Sequence, residues 1–253
     1  MKLAVLMSVY NVEPFIRDSI QSVLSQKGDV NLHILVVNDG SIDRTGDILA
    51  QIASENKELS IITTENQGIT KSRNVALNNI PEDADLVTFL DGDDLSPAGR
   101  FKRDLKFFAD DSQLDVLYST VRFFREAPPG SLAPCENSST LDGRCVQLAV
   151  GIYRTSLVKK VGMFDVDCIM AEDVDFLLRL FEQKPNYIVS DEIGVYYRRH
   201  TTNMTRDVQT SRREFARALL KSVKRRKAMS DYKLPGDIFD TKQLEQLYEW
   251  DKL

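Results

Sequence analysis

Cysteine is scarce in this chain of 253 residues: Cys135, Cys145 and Cys168 are the whole supply. An odd number without Cys-x-x-Cys spacing argues against a disulfide framework and a zinc site, and ordinary thiols are expected. Long apolar runs are missing as well. Stretches such as Leu3 to Met7 fall far short of the roughly 18 to 20 residues that a bilayer-spanning helix needs, so no transmembrane helix is expected. A secretory leader is not expected, because one Lys precedes the first strand-like segment and no small-residue cleavage site follows it. The expectation is a cytoplasmic protein. Glycine and proline, 12 and 8 residues, are too few for collagen or low-complexity disorder. The length suits one large domain, or one domain with an appendage.

What the chain does have is an uneven charge. The formal net charge is −5, yet Arg212 to Lys227 holds eight basic residues against Glu214 alone, a local +7 that leaves −12 for the rest. An acidic body with a basic segment near its end needs an explanation.

The first hundred residues alternate between two periods. Leu3 to Val9 is a nearly continuous apolar run, as expected of a parallel strand covered on both faces. Phe15, Ile16, Ile20, Val23 and Leu24 then recur at helical spacing. Ile34 to Val37 reads as a second strand, Ile48 to Ile52 as helix, Leu59 to Thr63 as strand, Ile69 to Leu77 as helix and Leu86 to Leu90 as strand. This alternation predicts an α/β fold with a mainly parallel sheet. Further on, Glu126 to Arg144 reads as a long flexible loop and Leu157 to Phe164 as a short helix and turn. Val174 to Phe181 reads as an amphipathic helix, Ile188 to Tyr197 as an edge strand pair or one long strand, and 208–229 as one basic helix. Pro235-Gly236 breaks that helix, and a short acidic helix is expected to close the chain.

In such sheets ligands collect at the carboxyl ends of the strands. Each predicted strand here ends in a polar cluster: Tyr10-Asn11, Asn38 to Ser41, Asn66 to Gly68, and Asp91 to Asp94. In Asp91-Gly92-Asp93-Asp94 two carboxylates one residue apart can share a divalent cation and its bound diphosphate, with Gly92 allowing close backbone approach. Oxygen ligands favour Mg²⁺ or Mn²⁺ over zinc; an acidic turn before the helix after Pro97 is the alternative. Asn38 to Asp43 is either a turn or a carboxylate that accepts from a uracil imide. Lys71 and Arg73 open a helix, where cations suit a phosphate or a base edge, or form a solvated face. Glu172 and Asp173 cap a helix start, or supply a general base facing a sugar acceptor. His200, one of two histidines, is a candidate metal ligand or phosphate donor; His33, inside a strand, is structural.

Read in order, these residues resemble the family-2 inverting glycosyltransferases. The matching pieces are Ser8-Val9-Tyr10-Asn11, Ser19 to Gln26, Val37-Asn38-Asp39-Gly40-Ser41, Asn66-Gln67-Gly68 and Ser72-Arg73-Asn74. Asp91 to Asp94, Val161-Gly162-Met163-Phe164-Asp165 and Glu172 to Phe176 complete the set. The resemblance implies a GT-A, Rossmann-like α/β fold with a mostly parallel central sheet flanked by helices and a C-terminal helical extension. Residues 1–205 would be the catalytic domain, with a nucleotide-sugar half to about residue 100 and an acceptor half beyond it, and 206–253 the extension. It implies a metal-dependent hexosyl- or N-acetylhexosaminyltransferase that uses a nucleotide-diphospho-sugar, with UDP as the expected nucleotide. The acceptor would be a hydroxyl of a glycan or lipid-linked intermediate in surface polysaccharide synthesis. Val9, Tyr10 and Asp39 would hold uracil and ribose, with Asn11, Gln67 and Gly92 in the same nucleotide-sugar site. Arg73 would reach the base or diphosphate, Asp91 the ribose or sugar. Asp93, with Asp91 and His200, would bind Mn²⁺ or Mg²⁺. Asp173 would be the catalytic base, Glu172 would orient a sugar, and Arg198, Arg199 and His200 would stabilise the leaving diphosphate.

Two other functions fit parts of the pattern. A nucleotidyltransferase would carry a Gly-rich N-terminal loop, and Met1 to Asn11 has no Gly. A catalytically silent nucleotide-sugar binding module would not need both Asp93 and Asp173. Gln246 to Trp250 has Glu249 where processive synthases of the family carry Arg, so single addition is expected. Nucleic acid is not an expected partner, because Phe215 is the only aromatic from Asp207 to Asp231. The basic helix suits an anionic membrane surface at the inner face of the membrane, with Phe215, Ala218, Leu219 and Val223 on one side, or packing on the domain. Oligomeric state is left open.

Overall fold

The N-terminal apolar run becomes β1 (Lys2–Val9), buried from Leu3 onward, because parallel neighbours pair with both of its edges and helices cover its faces. The computed structural model describes residues 1–227 together with Met229, 232–236, Ile238, Gln246 and Trp250. The expected closing acidic helix lies outside the described residues. After β1 come α1 (Ile16–Leu24), β2 (Asn31–Asn38), α2 (Thr45–Glu55), β3 (Leu59–Thr63), α3 (Ile69–Asn78) and β4 (Leu86–Phe89). These four strands pair in parallel in the order β3-β2-β1-β4. Each predicted strand and helix of this half appears within a few residues of its predicted ends. His33 Nε2 lies 2.9 Å from Ser60 Oγ on the neighbouring strand, a structural role.

The second half adds α4 (Arg100–Asp110), β5 (Val116–Phe124), β6 (Thr140–Gly143), β7 (Gly151–Arg154), α5 (Thr155–Val161), α6 (Glu172–Glu182), β8 (Tyr187–Arg198) and α6's later partner α7 (Val208–Arg226). Here the sheet turns mixed: β7 is antiparallel to β4 and to β5, β6 is antiparallel to β5, and β8 is parallel to β5 along its whole length. Among the described residues four of seven ladders are parallel, so the sheet is mostly parallel. The predicted loop Glu126 to Arg144 ends in β6, a strand with a single apolar residue, Leu141, and therefore no apolar alternation to reveal it. Arg122 and Asp142 secure it through paired 2.6 Å contacts across the strands. Ile188 to Tyr197 forms one long strand. The three thiols are free, and no helix among the described residues is long and apolar enough to cross a membrane.

The basic segment folds as α7 and packs on α6. Ala218 is fully buried, and Phe215 and Leu219 pack with it against Ala171, Val174 and Leu178. The apolar stripe offered above to a membrane is therefore covered by α6, while Val223, expected on the same stripe, is 41% exposed. Part of the positive charge also faces inward. Lys221 Nζ lies 2.7 Å from Asp165, and Arg225 reaches Glu182 at 2.7 Å and Asp175 at 3.0 Å. Asp175 and Glu182 are buried; Asp175 keeps Arg179 at 2.8 Å, but without Arg225 the Glu182 carboxylate keeps only the Ser222 hydroxyl in a poorly solvated place. Arg225→Met is expected to lower the unfolding free energy by about 3 kcal/mol, read from urea denaturation; an unchanged midpoint would show that the pairing does not hold α7.

Candidate active site

A cavity of ≈ 1070 Å³ opens where the ends of β1, β2 and β4 face the start of α6 and the end of β8. Its wall includes Val9, Tyr10, Asn11, Asp39, Arg73, Asp91, Gly92, Asp93, Glu172, Asp173, Arg199 and His200. These residues are separated by as much as 190 positions in sequence, and the sheet brings them onto one rim. Of the residues that the resemblance assigns to the site, two lie off the wall, as does Lys71. Gln67 is exposed and contributes its backbone N–H, which donates to Asp39 Oδ1 at 3.1 Å. Arg198 is buried and turned inward, its guanidinium over the rings of Phe15 and Phe124.

Hydrogen bonds between neighbouring loops fix the rim. Asp39 Oδ1 accepts from Thr64 Oγ1 and Gln67 N, and Oδ2 from Gly68 N at 2.9 Å, so one carboxylate ties the end of β2 to the start of α3. Asn11, at φ 51°, takes Ile42 N–H onto its Oδ1 at 2.9 Å and donates its own N–H to Ser41 Oγ at 3.0 Å. Gly40 sits at φ +70° with Asn66 N 2.6 Å from where a Cβ would be. A Cβ on Gly92 would lie 2.7 Å from Val9 Cγ1, so Gly92 lets the acidic loop seat against β1. From α1, Ser19 Oγ donates to Asp91 O, and Gln26 and Ser22 hold Ser96 and Phe101, clamping the same loop from behind.

The acidic loop is also locked to the end of β8. Leu95 and Tyr196 exchange two backbone hydrogen bonds, Asp94 Oδ1 accepts from Arg198 N at 2.9 Å, and Asp93 O accepts from Arg198 Nε at 3.0 Å. Burial, reinforced by Asp93 and Asp91, pushes the Asp94 carboxyl well above the usual carboxylate range. The strand end then delivers His200, whose Nε2 lies 2.8 Å from Asp93 Oδ2 and whose ring stacks on Phe15. A carboxylate oxygen and an imidazole nitrogen thus meet on the cavity wall, while Asp91, engaged by Arg73, is not gathered with them into one cluster of ligand atoms. A second acidic group, Asp165, Cys168 and Asp175, lies together elsewhere, but Lys221, Arg179 and Arg225 already neutralise it.

At the centre, Arg73 Nη1 donates to Glu172 Oε1 at 2.5 Å and Nη2 to Asp91 Oδ1 at 2.9 Å. Burial works against its charge, but Asp91, Glu172 and Asp173 more than offset that and hold the guanidinium above its ordinary range. Glu172 is pushed up to about 7 by burial, against the pull of Arg73 and with the help of Asp173. Asp173 is likewise raised, chiefly by burial and against Arg73. Its Oδ1 accepts Val174 N–H at 2.7 Å. Asn74 completes the arrangement by pairing twice with the backbone of Phe164, which ties Ser72-Arg73-Asn74 to the Gly162 to Asp165 turn.

Sequence reasoning did not single out Gln147, Phe123 or Met170, which also line the cavity. For Gln147 the available signal was a lone amide inside the otherwise apolar stretch Cys145 to Val150.

A family model described as glycosyl transferase family 2 matches residues 4–159. Among curated proteins, the chain is 29% identical over 221 residues to an uncharacterized glycosyltransferase, EpsJ, of Bacillus subtilis (strain 168), covering 80% of this chain and 62% of that one. Among solved structures, S. aureus TarS 1-349 in complex with UDP-GlcNAc aligns at TM-score 0.67 and 23% identity, over 88% of this chain and 65% of that one. The mannosyltransferase PcManGT from Pyrobaculum calidifontis, in complex with GDP-Man and Mn2+, aligns at 0.63 and 18%, over 93% and 66%. The chain thus spans less than two-thirds of the curated relative, and the likeness to these two structures is one of fold.

The position of Glu172 has a consequence for stability. Its folded value near 7 exceeds its ordinary 4.5, so its contribution is complete below about 4.5 and is lost as pH rises through 7. Glu172→Gln cannot titrate, and its thermal midpoint should gain on that of the wild type by a few degrees between pH 4.5 and 7.5. Parallel melting curves across that window would contradict the raised value.

Proposed function

The chain belongs to glycosyl transferase family 2, and on that premise we propose that it moves a sugar from a nucleotide-diphospho-sugar to a hydroxyl of a glycan or lipid-linked acceptor, in surface polysaccharide synthesis. The observation that carries this reading is Asp173. It is a carboxylate on the cavity wall whose proton affinity burial raises, with Asp91 and Glu172 beside it both engaged by Arg73. A base with raised affinity, poised at a reacting centre, is what removal of a hydroxyl proton requires.

Asp39 suits a nucleotide base that presents a ring N–H, as the uracil of UDP does. Its Oδ1 already accepts two hydrogen bonds and its Oδ2 one, and a carboxylate has about four acceptor positions. One further ring N–H, such as the uracil imide, completes it. The UDP-GlcNAc complex of TarS supports the same choice, whereas PcManGT is described with GDP-Man.

Asp91, Asp93 and His200 would hold Mn²⁺ or Mg²⁺, the imidazole favouring Mn²⁺, which is also the ion in the PcManGT complex. Such an ion offsets the negative charge that grows on the departing diphosphate. Arg199, on the cavity wall, adds a second positive group on that side. In the transfer, the acceptor oxygen bonds to the anomeric carbon as the bond from that carbon to the phosphate oxygen breaks, and the acceptor proton goes to Asp173. Glu172 is engaged by Arg73, and its proposed part is to orient a sugar rather than to act as a second, nucleophilic carboxylate. A single displacement with inversion therefore fits this geometry.

Asp173→Asn is expected to reduce transfer about a thousandfold while UDP affinity, measured by calorimetry, stays within a few-fold of wild type. Equal loss of both would overturn the assignment of the base. Treatment with EDTA should suppress nucleotide release from UDP-sugars and added Mn²⁺ should restore it. Turnover that survives chelation would remove the metal from this site.

A further inference from the structure

Gln147 lines the cavity and is 7% exposed as a whole residue, and its Oε1 and Nε2, each with almost no accessible surface, have no hydrogen-bond partner among the described residues. Buried side-chain amides almost always find partners, and one left without any destabilises the fold that contains it. Nothing local requires the amide there. The backbone is held independently: Gln147 N–H donates to Tyr118 Oη at 2.9 Å, and that phenol donates to Cys145 O at 2.8 Å and Gln147 O at 3.1 Å. Burial pushes the Tyr118 phenol well above its ordinary range, so it keeps the proton that this clamp uses. A residue of the same volume without polar atoms would fold as well or better at this position.

We propose that Gln147 forms a sugar subsite, its amide hydrogen-bonding a neutral hydroxyl or acetamido group of one of the two sugars that meet at Asp173. The inference rests on the glycosyl-transfer reading above and extends it to a residue and a substrate class. Position supports it. β7 runs against β4, with Ile152 opposite Thr88, so the segment before β7 arrives on the rim beside the end of β4, where Asp91 follows. Asp39 follows β2, Val9 ends β1 and Asp91 follows β4, and Gln147 comes one strand further along. At about 4.8 Å per strand it lies some three strand spacings from the strand that ends at Asp39, on the side away from the nucleotide end. Chemistry narrows the ligand. A phosphate would satisfy only the amide N–H groups, and a cation only the carbonyl oxygen. A sugar hydroxyl or an acetamido group both donates and accepts, and satisfies both. Phe123, Val146, Met170 and Phe215 share this cavity and supply the apolar surface that accompanies a few placed polar groups in such sites.

The donor sugar and the acceptor sugar carry the same groups, and the test separates them. In the ¹⁵N-labelled full chain, the side-chain NH₂ signals of Gln147 are identified by their loss in Gln147→Met. UDP alone should move backbone amides of the rim and leave those signals in place. If UDP-glucose or UDP-GlcNAc then moves them, the subsite belongs to the donor sugar. If only UDP plus methyl glucoside or methyl N-acetylglucosaminide moves them, it belongs to the acceptor. In either case Gln147→Met should keep the wild-type melting temperature and UDP affinity and weaken binding of that sugar probe tenfold or more. Signals that stay still with every sugar while the rim responds to UDP would overturn the subsite alone, as would a clear fall in the melting temperature of Gln147→Met. A rim that ignores UDP would overturn the glycosyl-transfer reading, and the subsite with it.

Discussion

One guanidinium holds this site together. Arg73 reaches Asp91 at the end of β4 and Glu172 at the start of α6, two carboxylates that belong to different halves of the chain. Bringing Asp91, Glu172 and Asp173 to one cavity concentrates negative charge in a place that water serves poorly, and a buried charge costs several kcal/mol unless a partner compensates it. Arg73 is that partner, and a planar fork with several donors can serve two carboxylates where a lysine would serve one. The residue next to it in sequence, Asn74, fastens the turn that leads into α6, so α3 places both the cation and one of the segments it pairs with.

The other rim loops are built outward from this centre, each crossing fixed by a hydrogen bond whose partners come from different elements. Asp39 joins β2 to α3, Asn11 joins β1 to the loop after β2, and Ser19 of α1 with Gln26 just past its end supports the acidic loop. The end of β8 closes against that loop and sets His200 beside Asp93. Polar residues that look like ligand contacts in the sequence thus divide into two groups, those facing the cavity and those that hold the first group in place.

That division explains how far the sequence could be read. The parallel half was legible because buried strands on both sides of a sheet leave unmistakable apolar runs, as in Leu3 to Val9. Asp93 and Asp173 were legible as members of an ordered set, and His200 stood out as one of two histidines. The choice between Arg198 and Arg199 was not, since neighbours on a strand point to opposite faces and the β5–β8 ladder shifts register near Thr120, which erases the phase that counting would give. Gly92 was legible as a glycine that must stay small, although the atoms that demand it belong to Val9 and Val12. The basic helix gave the sign of its charge but not its partners, because Asp165, Asp175 and Glu182 are some 40 to 60 residues earlier and reach it only through folding.

The reversal of β7 separates two kinds of inheritance. β5 runs parallel to β8 and against β7, so the chain from Arg125 to Val150, which adds β6 at the edge, both begins and ends on the cavity side. Added length there lengthens a tethered surface segment at a cost that grows only slowly, and the ladders among β1, β2, β3 and β4 do not register it. The strands that carry Val9, Asp39 and Asp91 and the connection that carries Gln147 meet at the β4–β7 edge, and length can vary on one side of that edge without shifting the register on the other.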